Sequence, residues 1–236
     1  MLGTFLEISI HAPDVPASLD FYRRLGLAEA VTGDVWDHAY GVVTDGRVAL
    51  GLHAYRFASP ALTWVCPGIP AVAAALTDAG IELAFLKTGD ERFNELGFLD
   101  PDGQMVALLE ARTHSPPPPR LPPPAAGFIR EYRYPVRLPS ETAGFWERLG
   151  FVATDIGPGH AALTSDGIAL TGDASPGRGA PGIVFETVDL DAAAARLAAA
   201  RLPLTTATDP LEGGPALTLV APEGTPILIL GPDEAG

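Results

Sequence analysis

The chain has 236 residues, of which 47% are hydrophobic and 19% charged, and its formal net charge is −14. That length holds two domains of ordinary size, while the acidity repels a phosphate backbone and so excludes nucleic acid as a partner. No apolar run reaches the roughly 20 residues of a membrane span, no basic-then-apolar leader is visible, and a single cysteine, Cys66, excludes an internal disulfide and points to a reducing, cytoplasmic setting.

Phe5–His11 alternates in character and reads as a strand. Asp14 can cap a helix that has Pro16 in its first turn and Gly26 at its end. Val15, Leu19, Tyr22 and Leu25 give that helix an apolar stripe. Trp36–Thr44 and Val48–Ala54 flank an Asp45-Gly46 turn, a hairpin signal. A strand at Leu62–Cys66, a helix at Pro70–Ala79 closed by Gly80, a strand at Ile81–Leu86 and a hairpin turning at Asp102-Gly103 follow. Residues 113–127 are proline-rich and read as an extended, semi-rigid spacer. Beyond them come a strand at Arg130–Val136, a helix from Ser140 to Gly150 and a turn at Asp166-Gly167. A strand at Ile183–Val188, a helix at Leu190–Arg201 and a turn at Glu223-Gly224 complete the series.

The second series is the first one rewritten. TDGRVALGLHA from Thr44 returns as SDGIALTGDAS from Ser165, FYRRLGL from Phe21 as FWERLGF from Phe145, and DPDGQMVALL from Asp100 as APEGTPILIL from Ala221. A tandem repeat therefore divides the chain into domains at 1–112 and 128–236, joined by the linker at 113–127. Each domain holds two strand–helix–strand–strand–strand modules. The fold class is α+β: four βαβββ modules paired into two curled-sheet cups, whose inner faces are the natural place for a small-molecule ligand.

PDVPASLDFYRRLGL, the helix AVAAALTDAG before a strand, and FLDPDGQMVALL carry a resemblance to the vicinal oxygen chelate superfamily of glyoxalases, bleomycin resistance proteins and extradiol dioxygenases. SETAGFWERLGF, VDLDAAAARLAAARL and APEGTPILIL carry it in the second copy. The resemblance implies a divalent metal held from three strands. At the corresponding positions stand Glu7, then Ala61 or Thr63, then Ala107; in the second copy, Glu131, about Gly182, and Leu228. One donor per cup falls short of the three or four that such an ion needs. The expectation is no cofactor, with a divalent metal disfavoured. A relocated set of Glu7, His11 and His53 is the alternative. Against it, Glu7 and His11 lie four strand residues apart, roughly 13 Å.

Glu7 is the candidate catalytic residue, since a carboxylate in a partly apolar cup suits a general base; Glu131 occupies its place in the second copy, beside Arg133. Trp36, His38 and Tyr40 alternate on one strand and offer an aromatic, hydrogen-bonding wall. With His11, His53 and Ala107 they form the candidate ligand-binding set. Ala49, Gly51 and Ala107 leave room in the first cup, with Met105 and Leu109 at its floor. Pro226, Leu228 and Leu230 make the second cup look more filled, with Asp173, opposite His53 in the repeat, its polar exception. Trp64 and Trp146 fit the core, and Cys66 a small buried apolar role.

The leading expectation is a metal-independent small-molecule binding protein with its ligand in the N-terminal cup. The alternatives are a lyase, isomerase or oxygenase with Glu7 as base, and a protein whose tandem domains mainly build an interface. Association into a homodimer is compatible with each.

Overall fold

A computed structural model describes residues 2–30, 38–89, 93–110, 121, 123–175 and 179–232. The first half runs β1 (Thr4–His11), α1 (Val15–Leu25), β2 (Ala28–Ala30), β3 (Tyr40–Thr44), β4 (Ala49–His53), β5 (Ala61–Val65), α2 (Ile69–Asp78), β6 (Leu83–Lys87), β7 (Glu95–Leu99) and β8 (Met105–Leu109). Its strands form one sheet in the order β2-β3-β4-β1-β5-β8-β7-β6. The second half runs β9 (Phe128–Pro135), α3 (Pro139–Arg148), β10 (Val152–Ile156), β11 (His160–Ser165), β12 (Ile168–Asp173), β13 (Gly182–Glu186), α4 (Leu190–Ala199), β14 (Thr205–Thr208), β15 (Pro215–Val220) and β16 (Pro226–Leu230). Its order, β10-β11-β12-β9-β13-β16-β15-β14, repeats the first. The molecule is an α+β protein of four βαβββ modules in two curled sheets. The expected strand from Trp36 begins, among the described residues, at Tyr40; Trp36 itself and most of the proline-rich stretch lie outside them.

Module junctions set the geometry. β1 and β5 pair antiparallel at the centre of the first sheet, and each pairs in parallel with the last strand of its own module, β4 or β8. Side chains alternate across this framework. Ile8, Ile10, Leu62, Trp64, Val106 and Leu108 face the core, fully or nearly fully buried. Glu7, Ser9, Thr63 and Ala107 fall on the opposite face.

α1 shows why the sequence stops and starts where it does. The Asp14 carboxylate accepts the Ala17 N–H at 3.0 Å, satisfying one of the helix's orphan donors. Gly26 closes the helix with φ 105°, a left-handed conformation that disfavours a Cβ. A Cβ there would also stand 2.2 Å from the Ala125 nitrogen. The buried stripe gains Phe21 over the expected set, while Leu19 is only partly buried.

One apolar core runs through both halves. Trp64 of β5 meets Trp146 of α3 at 6.1 Å between ring centroids, and Phe98 of β7 meets Phe145 of α3 at 6.3 Å. Polar contacts cross the same boundary reciprocally. The Asp102 carboxylate, in the turn before β8, accepts the Thr142 hydroxyl of α3 at 2.7 Å. In the equivalent turn before β16, Glu223 accepts the Ser18 and Tyr22 hydroxyls of α1, both at 2.7 Å. Each half's late turn thus holds the other half's first helix. Asp45, in the β3–β4 turn, accepts the Ile129 N–H through Oδ2 and ties β9 to the first half.

Asp100 sits at the centre of this boundary. Its Oδ2 accepts the Tyr134 hydroxyl at 2.8 Å, and that hydroxyl in turn accepts the Trp146 indole N–H at 2.8 Å. Desolvation raises the Asp100 carboxyl above its ordinary range, against the pull of hydrogen bonds from Gln104, Tyr134 and Asp102. A raised folded-state value means that the folded protein binds the proton more tightly than the unfolded chain. The stabilisation from protonated Asp100 is therefore complete below the ordinary aspartate range and is lost as pH rises through the raised value. Asp100→Asn should flatten the stability–pH curve between those two limits in urea melts; a slope there equal to the wild type's would count against this assignment.

Candidate functional site

The inner face of the first sheet concentrates its polar side chains at one place. Register aligns Glu7 of β1 with Thr63 of β5, and Thr63 with Ala107 of β8. On the other side of β1, Gly51 of β4 pairs with Ser9. The Glu7 side chain lies over Gly51: a Cβ at that glycine would stand 2.0 Å from Glu7 Oε1. Only a residue without a side chain leaves the carboxylate this position.

Glu7 is buried, at 3% exposure, and three donors reach it. Oε1 accepts the Ser9 hydroxyl at 2.7 Å and meets His53 Nε2 at 2.8 Å; Oε2 accepts the Tyr40 hydroxyl at 2.7 Å. Ser9 and Thr63 share a further contact at 2.8 Å. His53 Nδ1 lies 3.1 Å from His38 Nε2. The tautomer that serves both contacts has His53 donating to Glu7 from Nε2 and accepting from His38 at Nδ1. A polarised chain therefore runs from half-buried His38 to buried Glu7.

Beside this cluster is a hollow of about 100 Å³. Glu7, Ser9, Thr63, His53 and Glu95 supply its polar wall, and Phe57, Phe85, Met105 and Leu109 are among its apolar wall. Ala61 and Ala107 keep it open at the strand positions where larger side chains would fill it. Tyr55 stacks on Phe57 at its rim, with centroids 5.4 Å apart.

Of the expected site residues, Glu7, His38, Tyr40 and His53 come together, and Ala107 lines the hollow. His11 does not join the cluster among the described residues: its backbone N–H donates to Ser59 Oγ at 2.8 Å. The distance argument against a shared site for Glu7 and His11 did not apply to His53. That residue sits on the adjacent strand and leans back along it. Ser9 and Thr63 carry hydrogen bonds that the sequence reading left unassigned, although the two-residue period from Glu7 marks Ser9. Tyr55, Phe57 and Phe85 come from a loop and a sheet edge that no periodicity connects to Glu7. Cys66 is buried, and desolvation pushes its thiol up, with Glu110 adding to the shift, which suppresses the thiolate.

The second half treats its glutamate differently. Arg133 stands where the first half has Ser9, and Thr171 where it has Gly51. Glu131 accepts the Arg133 Nε–H at 2.9 Å and the Thr171 hydroxyl at 2.7 Å, while the other arm of the guanidinium pairs with Asp209. Burial alone would lower the Arg133 value; Glu131 and Asp209 outweigh it and hold the guanidinium above its ordinary range. Register places Val184, not Gly182, opposite Glu131, and pairs Val184 with Leu228. Contrary to the expectation of a more filled second cup, a hollow of about 320 Å³ opens in this half. Val184, Ala216, Leu228 and Leu230 form a small apolar cluster of their own, and Val184 and Leu228 line the hollow. Its lining reaches from these mid-strand residues to the strand ends, where Pro135 closes β9 and Gly182 and Pro226 open β13 and β16.

Among the described residues, the aligned positions of the two cups do not supply the donors that the divalent ion implied by the fold would need. The three aligned positions hold one carboxylate, one hydroxyl and one methyl group in the first half, and one carboxylate with two aliphatic chains in the second. Among the described residues, no group of three or more His, Cys, Asp or Glu side chains is placed to hold a metal ion. In the tautomer described above, His53 directs its Nε2–H at Glu7. Among the described residues, no helix is long and apolar enough to cross a membrane.

The family model for the Glyoxalase/Bleomycin resistance protein/Dioxygenase superfamily matches residues 4–226. No curated relative matches the sequence. Among solved structures, a catechol 2,3-dioxygenase is similar at 14% identity, with a TM-score of 0.61, over 99% of this chain and 90% of the other. A variant of homoprotocatechuate 2,3-dioxygenase from Brevibacterium fuscum is similar at 17% identity and a TM-score of 0.65, over 98% of this chain and 72% of the other. The Mn(II)-bound glyoxalase from Novosphingobium aromaticivorans is similar at 15% identity and a TM-score of 0.59, over 96% of this chain and 81% of the other.

Proposed function

The chain belongs to the Glyoxalase/Bleomycin resistance protein/Dioxygenase superfamily, and we propose that within it the protein is a metal-independent binder of a compact aromatic molecule held in the N-terminal hollow. The observation that carries this reading is the state of Glu7. Both of its oxygens are engaged by Ser9, His53 and Tyr40, so the residue is organised as the floor of a site rather than held ready for an ion. A wall of Phe57, Phe85 and Met105 faces the polar cluster across a space of about 100 Å³, which suits one aromatic ring carrying a hydroxyl group. The structural neighbours named for catechol and homoprotocatechuate make phenols the first probes to try.

A second reading, a lyase, isomerase or oxygenase with Glu7 as base, draws on the polarised run from His38 through His53. Three donors on one carboxylate weigh against it, because three of its roughly four lone-pair sites are already taken.

Catechol and phenol titrated into the full chain after exhaustive chelation should give saturable quenching of intrinsic fluorescence. Ala107→Phe, which fills the hollow, should lower the affinity at least tenfold. Glu7→Gln should keep binding within a few-fold. Binding that needs added Fe(II) or Mn(II), or that is indifferent to Ala107→Phe, would refute the proposal; metal-free turnover abolished by Glu7→Gln would favour the second reading.

A further inference from the structure

The C-terminal hollow contains a carboxylate that no described residue neutralises. Asp173, at the end of β12, is 6% exposed and lines the hollow. Its Oδ1 accepts the Ser175 N–H at 2.7 Å. Among the described residues, Oδ2 has no hydrogen-bond or ion-pair partner. A buried carboxylate satisfied on one oxygen only is costly, and it calls for a donor or a cation.

The nearby guanidinium does not meet that need. Arg133 also borders the hollow, but its two arms are taken by Glu131 and Asp209. Three carboxylates therefore stand about one fixed positive charge. Comparison of the two halves sharpens the contrast. In the first sheet His53 pairs with Tyr40 across β3 and β4; in the second, Asp173 pairs with His160 across β11 and β12. Where the first half places an imidazole that donates to its glutamate, the second places an acid, and the glutamate takes its donors from Arg133 and Thr171 instead. Among the described residues, the carboxylate without a counter-ion thus lines the larger space.

We propose that this hollow is a second ligand site, one for a compact organic cation. The ammonium group of a protonated amine sits on the Asp173 carboxylate, and its hydrocarbon body lies against Val184 and Leu228. The volume of about 320 Å³ lies at the lower end of small-molecule sites, which run from about 300 Å³ upward. With the Arg133 guanidinium engaged by Glu131 and Asp209, the Asp173 carboxylate selects for an amine over a neutral molecule of the same shape, because the alcohol can donate a hydrogen bond but only the amine also supplies the opposite charge.

The test is calorimetric titration of the full chain at neutral pH with benzylamine, and with benzyl alcohol as its neutral counterpart. Benzylamine should bind one to one, at least tenfold more tightly than benzyl alcohol. Asp173→Asn should lower benzylamine affinity at least tenfold, with folding checked by circular dichroism. Ala180→Trp, at the exposed mouth of the hollow, removes no charge and should produce a similar loss. Ala107→Phe, which blocks the N-terminal hollow, should leave amine binding unchanged; a loss there would place the amine in the first half and overturn the proposal. Equal affinity for the amine and the alcohol, or affinity within twofold of wild type in both Asp173→Asn and Ala180→Trp, would also overturn it. Because these results concern the second half alone, the phenol experiment succeeds or fails separately.

Discussion

Trp146→Ala should lower the free energy of unfolding by about 3–5 kcal/mol, the range for truncating a buried tryptophan. Trp146 is fully buried, and its ring packs on Trp64 from the first sheet and on Phe151 from its own half. Its indole N–H also supports the Tyr134 hydroxyl that donates to Asp100. Truncation therefore opens a cavity and strips a donor from a buried hydroxyl at the same time. Because the core is continuous, urea denaturation should show one transition shifted as a whole. A loss below about 1 kcal/mol, or a second transition left at the wild-type midpoint, would show that the halves unfold separately and that the shared core contributes little.

Glu7→Ala should cost about 3 kcal/mol, since it leaves the Ser9, Tyr40 and His53 donors without their acceptor, and each buried unsatisfied group costs about 1–3 kcal/mol without full additivity. Glu7→Gln keeps an acceptor and should recover more than half of that loss. Gly51→Ala tests the same arrangement from the opposite side. The added Cβ would overlap the carboxylate, forcing Glu7 to rotate away from its donors, with an expected cost of about 1–3 kcal/mol. Thermal melts of the three variants should rank Glu7→Gln as the mildest. A Gly51→Ala protein as stable as wild type would mean that Glu7 does not lie over that glycine.

The duplicated motifs made the architecture readable because turns and helix caps are local. Asp14, Gly26 and the Asp45-Gly46 turn specify their conformations with residues a few positions apart. Alternation on β1 also put Glu7 and Ser9 on one face. What alternation cannot supply is depth. His53 reaches Glu7 only because β1 and β4 are parallel neighbours and the imidazole leans along the strand, a relation between residues 46 apart in sequence. Phe57 and Phe85 reach the hollow through chain paths with no repeating pattern. The roominess of the second cup was misread for a related reason. Pro226, Leu228 and Leu230 are large on paper, yet Pro226 and Leu228 line open space instead of filling it. Reading Glu131 as a structural carboxylate beside Arg133 needed only the two-residue period, and the ion pair lies where that period puts it.

The crossed grips at the boundary bear on descent. In each copy the carboxylate of a late turn takes a hydroxyl from the other copy's first helix: Asp102 with Thr142, Glu223 with Ser18. A polypeptide of half this length would carry both the hook and the eye, and could satisfy neither alone. Two such molecules facing each other about a twofold axis would satisfy both at once. The arrangement is what fusion of an isologous pair leaves behind, with each seam later free to choose its own acid and its own alcohol.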